Sequence, residues 1–125
     1  MKVVGSGLIA SAFANEYFGE SCTIFASGVS NSKCENPAEF DREKRLLCGW
    51  LTDPALLLYF STCSAYDPSF SKSPYVIHKF AMEKLVIDSG HGLVFRVPQL
   101  VGRCNNPHTI TNFIAEKVYL QQSFD

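Results

Sequence analysis

Short apolar runs of strand length alternate along this chain with segments of helical periodicity. No other feature constrains the fold as much. Lys2–Val4, Thr23–Ala26, Leu56–Ser61 and Gly92–Val97 read as strands. Between them lie a helix over Leu8–Tyr17, with Leu8, Ile9, Ala12, Phe13 and Tyr17 on one stripe, and a helix from Asn36 to about Trp50, with Phe40, Leu47 and Trp50 inward. A third helix covers Pro74–Asp88, and a last one runs from about Thr109 to Gln121 with Ile110, Phe113, Ile114 and Val118 on its apolar side. The punctuation agrees. Asn36-Pro37 with Glu39 beyond is a helix start, Asp53-Pro54 ends that helix, and Ser89-Gly90 is a helix stop. Strands alternating with helices predict an α/β fold: a small parallel sheet of about four strands between helical layers, joined by right-handed crossovers. The unbroken run Leu56-Leu-Leu-Tyr-Phe60 predicts a strand covered on both faces. A chain of 125 residues suffices for one domain and one core, spanning 1–125.

Three segments carry chemistry. The first strand runs into Gly5-Ser-Gly7-Leu-Ile-Ala10 and then an apolar helix. In such a turn the first glycine permits a tight bend, the second lets backbone approach a pyrophosphate, and the small third residue allows close helix–strand packing. The helix start adds free N–H groups and partial positive charge. The central strand ends in the hydroxyl cluster Ser61-Thr62-Cys63-Ser64-Ala65-Tyr66, where open α/β sheets bind ligands. Finally, Ser73-Pro-Tyr-Val-Ile-His-Lys79 places Tyr75 and Lys79 four residues apart on one helix face. A cation beside a phenol favours its ionised form, which makes the pair a plausible acid/base device. Each segment alone also fits a bland role: a common Gly-Ser-Gly turn, a Ser/Thr-rich loop, a solvated helix face.

Taken in order, these segments resemble the extended short-chain dehydrogenase/reductase family, of the NAD-dependent sugar epimerase and dehydratase kind. Ile24-Phe-Ala-Ser-Gly28, Tyr59-Phe-Ser-Thr-Cys-Ser-Ala-Tyr66 and Phe95-Arg-Val-Pro-Gln-Leu-Val-Gly102 add to the match, which extends to about Gly102. The resemblance implies a Rossmann-like domain. It implies Tyr75 as catalytic acid/base, Lys79 as its partner, and Thr62 bonding the substrate oxygen. It also implies NAD or NADP held by Gly5, Gly7, Leu8, Ile9, Ala26, Ser27, Gly28, Ser61, Tyr75, Lys79 and Pro98, with Ala10 completing the phosphate turn and Gln99 near the nicotinamide. The implied substrate is a sugar or nucleotide sugar.

The chain also departs from that pattern. Its glycine turn is one residue shorter. Only a few residues separate the first helix, ending near Phe18, from the strand at Thr23, so the usual second and third strands and their ribose-gripping acid are missing; Glu20 follows no strand and takes no such role. Cys63 and Ser64 stand where some dehydratases carry two acids. The sequence stops at Asp125, where relatives continue into a substrate lobe, so that lobe is expected to be absent. The first strand then becomes an exposed edge and the last helix lacks cover, and both predict a homo-oligomer.

Composition excludes several classes. A formal net charge of −1 and no basic run argue against nucleic acid. Five cysteines (22, 34, 48, 63, 104) without Cys-x-x-Cys spacing read as reduced thiols, neither a disulfide framework nor a metal site, with Cys63 as packing. No signal peptide or membrane span is indicated, so the expected location is cytoplasmic. His78, about 60° round the helix from the Tyr75/Lys79 side, is expected in solvent. Two functions remain: an NAD(P)-dependent sugar oxidoreductase or epimerase, or a catalytically silent nucleotide-binding or assembly module that kept the fold.

Overall fold

The computed structural model describes residues 1–16, 21–102 and 109–123. Tyr17, Phe18, Glu20 and Cys104 lie outside them. Four parallel strands, β1 (Lys2–Val4), β2 (Cys22–Phe25), β3 (Leu56–Thr62) and β4 (Gly92–Val97), form one sheet in the order β1-β2-β3-β4. The helices are α1 (Leu8–Phe13), α2 (Pro37–Trp50), α3 (Pro74–Asp88) and α4 (Ile110–Tyr119), with two 3₁₀ turns at Cys63–Tyr66 and Pro68–Phe70. The α/β architecture is therefore as expected, with β1 at a sheet edge. Among the described residues no helix is long and apolar enough to cross a membrane.

The core lies between the sheet and the α2/α3 layer. Phe25 and Tyr59, register partners on neighbouring strands, pack with Leu57, Leu47 of α2, and Met82 and Val86 of α3, all essentially inaccessible. Asn36 caps α2 through a bond from the Ala38 N–H to Oδ1 (3.0 Å), and Pro37 occupies the first turn. Arg96 of β4 grips Glu83 of α3 with two bonds (2.9 and 2.7 Å), pinning that helix to the sheet.

Successive strand residues face opposite ways. Phe60 accordingly meets α1 through Phe13 (ring centroids 5.8 Å apart) and stacks on Phe95 (5.9 Å). Helix α1 thus lies on the face opposite α2 and α3, although the chain steps across the sheet in one direction throughout. The crossovers through α1 and α2 therefore have opposite hands, and the right-handed expectation fails for one of them. The gain is cover for Phe60, which would otherwise face water.

That cover is partial, because α1 spans six residues rather than the ten expected; Ala14 and Glu16 donate to the carbonyls of Ser11 and Phe13 and tighten its end into 3₁₀ geometry. β3 is consequently sealed on one face only. Leu57 and Tyr59 are buried, whereas on the α1 face Leu58 and Phe60 are only half-buried and Leu56 is 41% exposed; Leu93 and Phe95 of neighbouring β4 are exposed as well. In α4 the stripe Ile110, Phe113, Ile114 and Val118 also remains exposed.

The β1–α1 turn shows why Gly5 is needed. Its φ is +129°, and a Cβ there would run into the Ala26 carbonyl. Gly5→Ala is expected to cost about 2 kcal/mol of stability, from backbone strain and overpacking together, read as a lower denaturation midpoint at unchanged slope.

Candidate functional site

The loops leaving the carboxyl ends of the strands enclose a cavity of about 570 Å³. Gly7 lines it from the first loop with Leu8 and Ile9 at the start of α1, Ala26, Ser27 and Gly28 from the second loop, Ser61 and Thr62 from the end of β3, and Pro98 and Gln99 from the loop after β4. Tyr75 and Lys79 of α3 close one side. Every expected site residue except Gly5 and Ala10 lines this space; Gly5 supports it from behind through its contact with Ala26, and Ala10 is buried within α1. A crevice at this end of a parallel sheet is where such folds bind ligands. Gly7 behaves unlike Gly5. Its φ is −82°, and a Cβ there would meet nothing within 4 Å. Neither conformation nor packing requires glycine at this position; what it does is keep the first loop's backbone open to the cavity.

Tyr75 is 6% exposed, and the Thr62 hydroxyl lies beside its phenol. Thr62 Oγ1 also accepts from the Ser64 N–H (3.1 Å), which fixes the hydroxyl at the end of β3. Lys79 Nζ lies 5.8 Å from the Tyr75 ring centroid and 5.3 Å from that of Tyr59. The threonine, the phenol and the amine are therefore brought together. Cys63, beside them, gives its thiol to the Arg96 carbonyl (3.4 Å).

The electrostatics differ from expectation. Burial pushes the Tyr75 phenol above its ordinary range and the Glu43 carboxylate pushes it further, while the Thr62 hydroxyl opposes both. The lysine was expected to lower it. It does not, because its charge is engaged elsewhere: Lys79 Nζ donates to Glu43 Oε1 (3.0 Å) and to the Tyr59 hydroxyl (3.3 Å). Burial lowers the Lys79 ammonium, and Glu43 supports it.

Glu43 is the functional-site residue that sequence reasoning missed. It is wholly buried, yet it accepts four hydrogen-bond contacts: the Val29 N–H at Oε2 (2.7 Å), the Tyr59 hydroxyl at Oε1 (2.6 Å), His78 Nε2 at Oε2 (3.0 Å) and Lys79 at Oε1. Burial raises its pKa, but His78, Lys79, Tyr59 and Val29 together outweigh that and hold it down to about 2. The signal was present in α2, where the inward series Phe40, Leu47 and Trp50 carries one carboxylate, Glu43, on the same stripe. His78 was expected in solvent. It is buried instead, stacked on Phe40 (4.6 Å) as well as bonded to Glu43, because α3 packs against α2 on that side.

Comparison with family models, with curated proteins and with solved structures finds no match to this chain.

Proposed function

We propose that this protein binds a nicotinamide dinucleotide, NAD or NADP, in the strand-end cavity and carries out oxidation or reduction at a sugar carbon, a nucleotide sugar being the favoured substrate class. The observation that carries this reading is the convergence of Thr62, Tyr75 and Lys79 on one cavity with the Gly5–Gly7 turn. The donor set fits the cofactor's chemistry. Open backbone at Gly7 suits a pyrophosphate, the Lys79 ammonium suits ribose hydroxyls, and Pro98 and Gln99, which line the cavity, would flank the nicotinamide. When bound, the cofactor exchanges hydride with the substrate carbon. The chain's own part is to orient the substrate oxygen through Thr62 and to move its proton at the Tyr75 hydroxyl.

A second reading is favoured by one observation: the described site places no carboxylate for the adenosine ribose, and the buried acids behind it are engaged, Glu43 by Lys79 and Glu83 by Arg96. In that reading the protein keeps the fold and binds nucleotide, or serves in assembly, without turnover. Titration of folded protein with NADH and NADPH, followed by calorimetry or cofactor fluorescence, tests the first reading. Saturable binding of either one is expected, and no binding of either would reject it.

A further inference from the structure

We propose that Glu43 is the positioning residue of the Tyr75/Lys79 pair, anchoring the Lys79 ammonium and tying it to the loop Ser27–Val29 that walls the cavity. A lysine removed from water keeps its proton only where an anion replaces the solvent. Lys79 is 3% exposed, and among the described residues the one carboxylate bonded to it is that of Glu43. The ammonium has three N–H donors, of which Glu43 and the Tyr59 hydroxyl take two. The rest of its surroundings are as tightly set. A Cβ on Gly28 would stand 2.6 Å from Nζ and 3.0 Å from Glu43 Oε1, so the loop backbone rests directly on the ion pair. The same carboxylate takes the Val29 N–H. Loop, lysine and α2 thus share one anchor, and a ligand that shifts the loop must act on the lysine through it.

Several charged or titratable groups face the pair. Glu43 and Arg42 come from α2, Tyr59 from β3, and Tyr75, His78 and Glu83 from α3. Arg42 lines the cavity while donating to the Ser27 carbonyl (3.2 Å), and Glu83 is held by Arg96. Neither makes a bond to Lys79 like that of Glu43. A glutamine at position 43 would keep one acceptor but turn an amide N–H₂ toward donors.

The role in turnover rests on the functional reading above, whereas the anchoring does not, and one experiment separates the two. In protein labelled with ¹³Cε-lysine, the Lys79 resonance is titrated by NMR in wild type and in Glu43→Gln, alongside NADH and NADPH binding. The proton affinity of Lys79 is expected to fall at least about tenfold in the variant, because its counter-anion is gone. An unmoved Lys79 titration in folded Glu43→Gln overturns the proposal. Should that variant not fold, Glu43→Asp keeps the charge but draws it back by one methylene, and a fall of about threefold is expected from the longer separation; no change there overturns the proposal equally. A shifted Lys79 titration in protein that binds neither dinucleotide upholds the anchor and removes only the oxidoreductase reading.

Discussion

Tyr75→Phe is expected to lower turnover by about 10³-fold, within the range that a positioned acid/base group supplies, while dinucleotide affinity changes by less than about twofold. The substitution removes one oxygen and keeps the ring. That ring packs with Val29 and Val76, so α3 stays seated and the cavity wall keeps its shape. Thr62 still accepts from the Ser64 N–H, which limits the structural cost. A loss confined to kcat marks a group that acts in the transition state, whereas a rise in KM alone would mark simple binding. The direction of proton flow follows from the electrostatics. A phenol held above its ordinary range is protonated at neutral pH, so in the unliganded site Tyr75 is poised to give a proton, as reduction of a carbonyl requires. Steady-state kinetics on Tyr75→Phe with a cofactor-binding sample checks this; retained turnover would remove Tyr75 from the chemistry.

Much of the fold could be read from period and punctuation. Helices α2 and α3 and strand β4 fall within a residue of where their caps and apolar patterns put them, since Asn36-Pro37, Ser73-Pro74 and Ser89-Gly90 are local signals that no tertiary contact overrides. The convergence of Thr62, Tyr75 and Lys79 was also legible, because helical spacing and the strand-end position are both local properties. What escaped was relational. The fate of Lys79's charge depends on a carboxylate 36 residues earlier in the chain, on another helix. His78 looks solvent-facing on an isolated α3 and becomes buried only once α2 is laid against it. The side of the sheet that α1 covers likewise depends on which face α2 and α3 leave bare, and no pattern within residues 8–13 encodes that.

The second large effect is on acid stability. Glu43 is held at about 2 in the folded protein, against 4.5 for an unperturbed glutamate. A carboxyl depressed by folding stabilises the native state while it is ionised in both states, that is above about 4.5, and the contribution is lost as pH falls through the folded value. The difference corresponds to about 3 kcal/mol, present in full at pH 7 and fading between roughly pH 5 and pH 2. The other depressed carboxyls, Asp53, Asp67 and Glu83, fade with it, so total stability against pH does not isolate Glu43. The difference between wild type and Glu43→Gln does. At neutral pH the variant leaves Lys79 buried without its anion and is expected to be less stable by about 3–5 kcal/mol. As the pH drops below about 4.5, Glu43 takes up a proton in the unfolded wild type while the folded carboxylate stays ionised until about 2, so the wild type loses its advantage over the glutamine variant and the gap should close by about 3 kcal/mol as pH 2 is approached. Urea denaturation of both proteins at pH 7, 4 and 2.5 measures this directly. A gap that stays constant across those three pH values would mean that the carboxylate is not held ionised by its four partners, and that the buried cluster between α2, α3 and β3 derives its stability from packing instead.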